Sequence, residues 1–359
     1  MGHSGRVNTN FWNGKRVLIT GHTGFKGGWL SLWLTRMGAH VTGLSLPPNT
    51  SPALFTLARI PQFLTASYFA DIRDPIQLLD LVRKAQPEIL LHLAAQPLVR
   101  YSYSQPAETF SSNVMGTVNI LDALRHTNST RVALIVTTDK VYANSNRAVA
   151  FREEDALGGA DPYSASKAAS EFAVESYRKS FFSTSKLALG SARAGNVIGG
   201  GDWAEDRLLP DAVRAWQSGK PLDIRNPDAI RPWQHVLEPL AGYLILAQDL
   251  WEDKALEGAY NFGPVMHEEA PVRYVIELAQ KSWGNGANVI WGCDTASNLH
   301  EASVLRLDNS KVRLTIGVEP RWSLAKAVER SVSWYKAVHA GEDAQALCYS
   351  DIDLFEAGV

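Results

Sequence analysis

The stretch Arg16-Val17-Leu18-Ile19-Thr20-Gly21-His22-Thr23-Gly24-Phe25-Lys26-Gly27-Gly28-Trp29-Leu30 decides the fold. Its first five residues, Arg16–Thr20, form a short apolar run of the kind that makes a buried strand. Gly21, Gly24 and Gly27 follow in a G-x-x-G-x-x-G turn. Trp29, Leu30, Trp33, Leu34 and Met37 then recur at helical spacing over Phe25–Met37, with Gly38 placed as a C-cap. Glycines here permit a tight turn and let backbone N–H groups approach a pyrophosphate at the helix N-terminus. Three glycines alone would also suit a plain flexible turn. Their place between a strand and an amphipathic helix points to a dinucleotide, with Gly21, Thr23, Gly24, Phe25, Lys26 and Gly27 as its expected contacts.

Outward from this unit, strand and helix patterns alternate. His40–Leu46 reads as a second strand, ended by Pro47 and Pro48. Ile89–Leu93, Val132–Thr137 and Leu187–Ala192 read as further strands, with helices at 76–85, 113–126 and 163–182. Such alternation implies an α/β fold, a Rossmann-type doubly wound parallel sheet whose ligands sit at the carboxyl ends of the strands. After residue 197 Pro, Trp and Arg become frequent, as in GGGDWAEDRLLP and RNPDAIRPWQHV. We therefore expect a dinucleotide-binding domain over 11–196 with return segments near 228–262. A smaller mixed α/β substrate lobe is expected over 197–227 and 263–345, and a disordered leader over 1–10.

Composition excludes several classes. The 359 residues carry 35 basic and 37 acidic side chains, a net −2, which is not the charge of a whole-surface nucleic-acid binder. No apolar run approaches the ~18–20 residues of a membrane span, and the first residues lack a secretory h-region. Cys293 and Cys348 have no metal-like spacing, so reduced thiols in a cytoplasmic protein are expected, with no metal. Most of the 11 tryptophans read as packing residues. One asymmetry stands out. Residues 1–70 contain six basic side chains and no Asp or Glu.

That asymmetry touches the cofactor. A dinucleotide site usually shows an acid about 20 residues past the turn, holding the adenosine ribose. Here the second strand ends on Leu44-Ser45-Leu46. Ser45 offers one neutral hydrogen bond, and Lys26 is a candidate neighbour for a 2′-phosphate, so NADP is not firmly excluded. Asp71-Ile72, after a third strand-like run, suits the adenine ring, although a surface-loop acid would look the same.

Tyr163 and Lys167 stand four residues apart, on one face of a helix. A phenol is a poor base at neutral pH, its ordinary pKa being about 10. A nearby ammonium favours the phenolate, which could then take a proton from a sugar hydroxyl as hydride leaves. Alone, such a pair is as readily a bland helix surface. It opens a helix shortly after Thr137-Thr138-Asp139-Lys140, which closes a strand at the ligand-facing edge. Thr138 can bond the same substrate oxygen, while Asp139 and Lys140 supply further acid–base groups; as a solvated charge pair they would need no function.

Together Gly21–Gly27, Ala94-Ala95-Gln96, Asn113, Thr138, Tyr163 and Lys167 resemble the extended short-chain dehydrogenase/reductase family of nucleotide-sugar enzymes. The strings HLAAQPLVR, TTDKVY, DPYSASK, RAGNVIGGGDWAEDRLLPD and IRPWQHVLEPL resemble more narrowly its CDP-glucose 4,6-dehydratase branch, from about Phe11 to Trp334. The resemblance implies a redox-neutral dehydration of CDP-glucose on NAD: transient oxidation at C4, elimination across C5 and C6, and return of hydride to C6. It implies Leu93, Ala94, Ala95 and Asn113 at the cofactor. Gln96, Asn196, Arg207, Arg231 and Arg306 are implied at the substrate. His300-Glu301 matches the family pattern without a role. The resemblance also implies a homodimer or homotetramer built through the helices at 113–126 and 163–182, and a place in lipopolysaccharide deoxysugar synthesis.

Related dTDP-sugar dehydratases carry Asp-Glu where this chain has Asp139-Lys140. By position Asp139 is the acid toward C6 and Lys140 the base at C5, but a lysine at its ordinary pKa of about 10.4 is protonated. The reverse assignment stands equally open. A sugar-nucleotide 4-epimerase is the rival enzyme; it shares the turn and the Tyr-Lys pair but needs no second acid–base pair. A silent NAD-binding regulator is the rival from another class, and the intact Thr138, Tyr163 and Lys167 speak against it.

Overall fold

The computed structural model describes residues 5–144, 149–265, 268–292 and 304–358. Seven strands form its main sheet: β1 (Arg16–Thr20), β2 (His40–Ser45), β3 (Ala66–Phe69), β4 (Ile89–His92), β5 (Val132–Val136), β6 (Ala188–Ala194) and β7 (Gly258–Phe262). Their order across the sheet is β7-β6-β5-β4-β1-β2-β3, every neighbouring pair parallel. Parallel strands need crossovers, and the chain supplies them with helices α1 (Phe25–Arg36), α2 (Pro75–Ala85), α3 (Gly116–Arg125) and α4 (Pro162–Ser180). The order reverses between β1 and β4, and there the carboxyl ends open a crevice beside the Gly-rich turn.

Strand alternation divides the core. Val17, Ile19 and Leu91 face one side with Trp29 and Trp33 of α1, while Leu18, Leu90 and Ile135 face the other with Leu78, Ile120 and Val174. A third apolar cluster gathers Trp216 of α5 (Leu208–Gln217), Leu222, Ile224 and Trp233 with helices beyond β7. The chain returns to the sheet between these, through α6 (Leu237–Glu252) and β7. After β7 come α7 (Val272–Trp283), α8 (Leu324–His339) and α9 (Ala344–Ala357).

Three expectations need adjusting. Residues 5–10 are not a disordered leader. A turn of helix covers Thr9–Trp12, Asn8 caps it, and Gln248 Oε1 accepts from Asn8 N and the Trp12 indole. The helix expected over 113–126 begins as a π-turn, Ser111–Met115, before α3. Past residue 345, where the substrate lobe was expected to end, α9 returns to the sheet domain, its Glu356 accepting from the Trp33 indole. Seven tryptophans are buried, and Trp12, Trp29 and Trp33 each donate an indole N–H to a protein oxygen. Cys348 is a buried free thiol, whereas Cys293 and His300-Glu301 lie outside the described residues. No described helix is long and apolar enough to cross a membrane.

Candidate active site

The Gly-rich turn is closed by backbone contact. Gly21 has φ +81°, and a Cβ there would stand 2.7 Å from Ala94 N. A Cβ on Gly27 would overlap the Gly21 carbonyl, so α1 leaves the turn as closely as two backbones allow. Gly24 is the N-cap of α1 with no side chain capping it, and the first turn holds no acid. The leading N–H groups of α1 are thus left for an anion, as a dinucleotide pyrophosphate requires. Leu93, Ala94 and Ala95 run past this turn from β4, Leu93 N bonded to Thr20 O and Ala94 N to Thr20 Oγ1. Phe25 reaches the other way, toward Gly199.

His22 is packed in the turn, its Nε2 2.8 Å from Ser67 Oγ, and burial lowers its pKa to about 4. At the end of β2, Ser45 Oγ lies 2.8 Å from Thr23 Oγ1, which itself donates to Leu46 O at 2.9 Å. Asp71 is gripped by Arg73, whose Nε donates to both carboxylate oxygens and whose Nη2 donates to Oδ2, and this pair holds the carboxyl below its ordinary pKa. Ile72 is buried against Gly116.

Asn113 sits in the π-turn, a helix defect frequent at functional sites. Its Oδ1 accepts from Gln96 N, and its two amide hydrogens go to Gln96 O and Ser166 Oγ. Gln96 in turn bonds Thr109 and its own loop at Leu98. Both side chains, expected at ligands, are engaged within the protein and brace the loop after β4.

Thr138, Asp139 and Lys140 follow β5 in a short 3₁₀ turn, and α4 brings Tyr163 and Lys167 against it. Asp161 caps α4 by accepting from Ser164 N at 2.9 Å, and Pro162 fills the first helical position. Tyr163 therefore stands in the first turn of α4, at the positive end of the helix dipole. Burial raises the Tyr163 pKa, Asp139 and Asp161 add to this, and a hydrogen bond with Thr138 and the charge of Arg207 oppose it. Lys167 Nζ donates to Val136 O at 3.2 Å, and burial lowers its pKa to about 8. Thr138 Oγ1 donates to Asp139 Oδ1 at 2.9 Å, while Asp139 Oδ2 is buried without a protein partner.

The remaining predicted residues divide. Gly195-Asn196 closes on the site, a Gly195 Cβ standing 3.3 Å from Asp139 Oδ2. Arg207 lies close enough to act on Tyr163 while bonding Pro97 O. Arg231 is buried, donating to Ile230 O, and Arg306 pairs with Glu269 at 2.8 Å. Lys26 differs from expectation. Its charge interacts with Asp139, Asp202, Lys167 and Arg207, and burial lowers its pKa to about 8. Its charged neighbours are thus those of the catalytic side of the turn. Asp202 is an addition to this chamber that spacing did not assign; the GGGDW string after β6 was the available signal.

The GDP-mannose 4,6 dehydratase family matches residues 18–331. The chain belongs to this family. It is 46% identical over 343 residues to the CDP-glucose 4,6-dehydratase of Salmonella typhimurium, covering 94% of this chain and 95% of that relative. A dTDP-glucose 4,6-dehydratase of Haemophilus influenzae is 26% identical over 342 residues, covering 89% and 97%. Among solved structures, UDP-glucuronic acid 4-epimerase from Bacillus cereus with UDP-glucuronic acid and NAD superposes with a TM-score of 0.77 at 23% identity, over 90% of this chain and 99% of that one. At that identity the likeness speaks for the fold alone.

Proposed function

We propose that this chain is a CDP-glucose 4,6-dehydratase, taking CDP-glucose to CDP-4-dehydro-6-deoxyglucose and water. The observation that carries this reading is the position of Asp139, on the same strand end as Thr138 and close enough for its charge to act on Tyr163, with Lys140 the next residue of the same turn. Oxidation at C4 alone has no use for a second acid–base pair. The 46% identity to the Salmonella enzyme supports the nucleotide and the sugar. NAD is the cofactor in this reading, and the uncapped N-terminus of α1 with the loop Leu93–Ala95 would hold it. When bound, it supplies hydride uptake and return, so the overall reaction needs no external oxidant.

The chain's own residues supply the proton work. Tyr163 takes the C4 hydroxyl proton; the Arg207 charge and the α4 dipole favour its phenolate against burial. A C4 ketone acidifies the C5 proton. Asp139 and Lys140 then divide its removal from protonation of the departing C6 hydroxyl. Arg231 and Arg306 are the candidates for the diphosphate, where guanidinium forks suit paired oxygens, and Arg207 is a further substrate candidate. A homodimer or homotetramer belongs to this reading, supported by exposed Met115 and Phe172 along the helices expected to pair.

The test is incubation with CDP-glucose and NAD, then alkali. A 4-keto-6-deoxy sugar develops a new ultraviolet absorbance; an epimerised or untouched hexose does not. Run beside dTDP-glucose and GDP-glucose, the assay also tests the base. Absorbance only with another nucleotide would overturn the CDP assignment.

A further inference from the structure

Beneath Lys167 lies a buried charge cluster that the reaction above leaves without a role. Glu171, one helical turn further along α4, is 4% exposed, and so is Arg193 on β6. Arg193 donates to Glu171 Oε2 at 2.9 Å, Ser191 to the same oxygen at 2.8 Å, and Thr137 to Oε1 at 2.5 Å. Arg193 also donates to Tyr142 Oη, which bonds Asn261 on β7. The carboxylate thus ties α4 to β5 and β6, at the residue immediately before Thr138.

Buried ion pairs contribute little net stability, because desolvation offsets the Coulomb gain. The charge arithmetic suggests another use. Two cations, Lys167 and Arg193, share one anion in a dry interior. Glu171 favours the charged form of Lys167, and burial opposes it. Without the carboxylate, burial would act on Lys167 unopposed and Arg193 would lose its buried anion. We propose that Glu171 is the shared counter-ion that keeps Lys167 charged inside the protein, a positioning residue for the Tyr163–Lys167 pair, with Arg193 as its brace.

The other groups around Lys167 do not supply that charge. Tyr163 on its own helix is a neutral phenol at rest, and Lys26 from α1 is a further cation. His92 at the end of β4 is neutral, its pKa lowered to about 3. Its Nδ1 lies 2.7 Å from Thr20 Oγ1, which accepts from Ala94 N. Asp139 lies on the substrate side of the pair and takes the Thr138 hydroxyl. Arg178 also feels Glu171, and it too is a cation.

This inference rests on the assignment of Tyr163 and Lys167 above, and the experiment separates the two. The pH profile of kcat/KM for CDP-glucose, at saturating NAD, is measured for Glu171→Gln, Glu171→Asp, Arg193→Gln and Lys167→Met. In Glu171→Gln the alkaline limb moves down by about one pH unit, a tenfold loss at the alkaline end that narrows as pH falls. Glu171→Asp restores most of it. Arg193→Gln breaks the same ion pair yet moves the limb upward, because it leaves the carboxylate to Lys167 alone. Opposite shifts cannot come from loosening the fold, and Arg193→Gln decides alone if Glu171→Gln does not fold. A pH-independent loss in both variants overturns the proposal. Full activity in Lys167→Met instead overturns the assignment of Lys167.

Discussion

Single atoms decide what Ser45 offers to a cofactor's adenosine end. The Thr23 hydroxyl donates to Leu46 O, so the Ser45 proton goes to Thr23, leaving Ser45 an acceptor only. An acceptor suits a ribose hydroxyl, which brings its own proton, and offers nothing to a 2′-phosphate. Lys26, the cation that sequence placed within reach of such a phosphate, faces Asp139 and Asp202 instead. The acid-free first 70 residues leave this end without a carboxylate, so a modest affinity for NAD is expected, with neither a charge to repel a 2′-phosphate nor one to bind it. Ser45→Asp should tighten NAD by about tenfold, or ~1.4 kcal/mol, through a charge-assisted bond, and leave NADP weaker still. Equilibrium dialysis of the substrate-free protein reads both; a gain for NADP would sink the argument. The division between Asp139 and Lys140 is also a one-residue question. Lys140→Met should leave C4 oxidation possible while suppressing solvent-deuterium exchange at C5, followed by mass spectrometry of recovered substrate. Unchanged exchange would exclude Lys140 as the base.

At the scale of elements, the turn before α1 carries the most. Gly27→Ala would drive a Cβ into the Gly21 carbonyl, and neither backbone has a flexible end to yield. The sheet core behind it is untouched, so circular dichroism should show a folded protein. NAD affinity should fall by about tenfold or more, ~1.4 kcal/mol at the least; retained affinity would mean that the cradle is looser than its geometry. This turn was legible in sequence because glycine spacing and strand–helix periodicity are local signals. So were β1, which matches Arg16–Thr20 residue for residue, and α4, which differs from 163–182 only at its ends. The π-turn at Asn113 was not, since a one-residue helix defect leaves no mark on apolar periodicity. Nor was the engagement of Asn113 and Gln96 with one another, a matter of loop packing across 17 positions. Glu171 was visible at i+4 from Lys167, but its partner Arg193 comes from another strand.

Over the whole molecule, buried titratable groups set how stability follows pH. His22, His92 and His235 are held neutral by burial, with pKa values lowered to about 4, 3 and 3. In the unfolded chain each takes a proton near pH 6.5, so the stability they contribute is present above that value and is lost as pH falls. Glu238 and Asp351 act in the opposite sense. Burial raises them to about 7 and 6, so they favour the folded state less as pH rises. His235 is the cleanest to remove, because it packs between Trp29 and Trp322 with Nε2 unpaired and lies outside the catalytic chamber. His235→Phe keeps an aromatic ring there and deletes the proton site. Each displaced protonation costs about 1.4 kcal/mol per pH unit below the unfolded pKa. From about pH 7 to pH 5 the wild type should therefore lose ~2 kcal/mol more than the variant, whatever their difference at neutral pH. Urea unfolding at the two pH values measures this; parallel losses would mean that His235 is already solvated, or paired, in the folded protein.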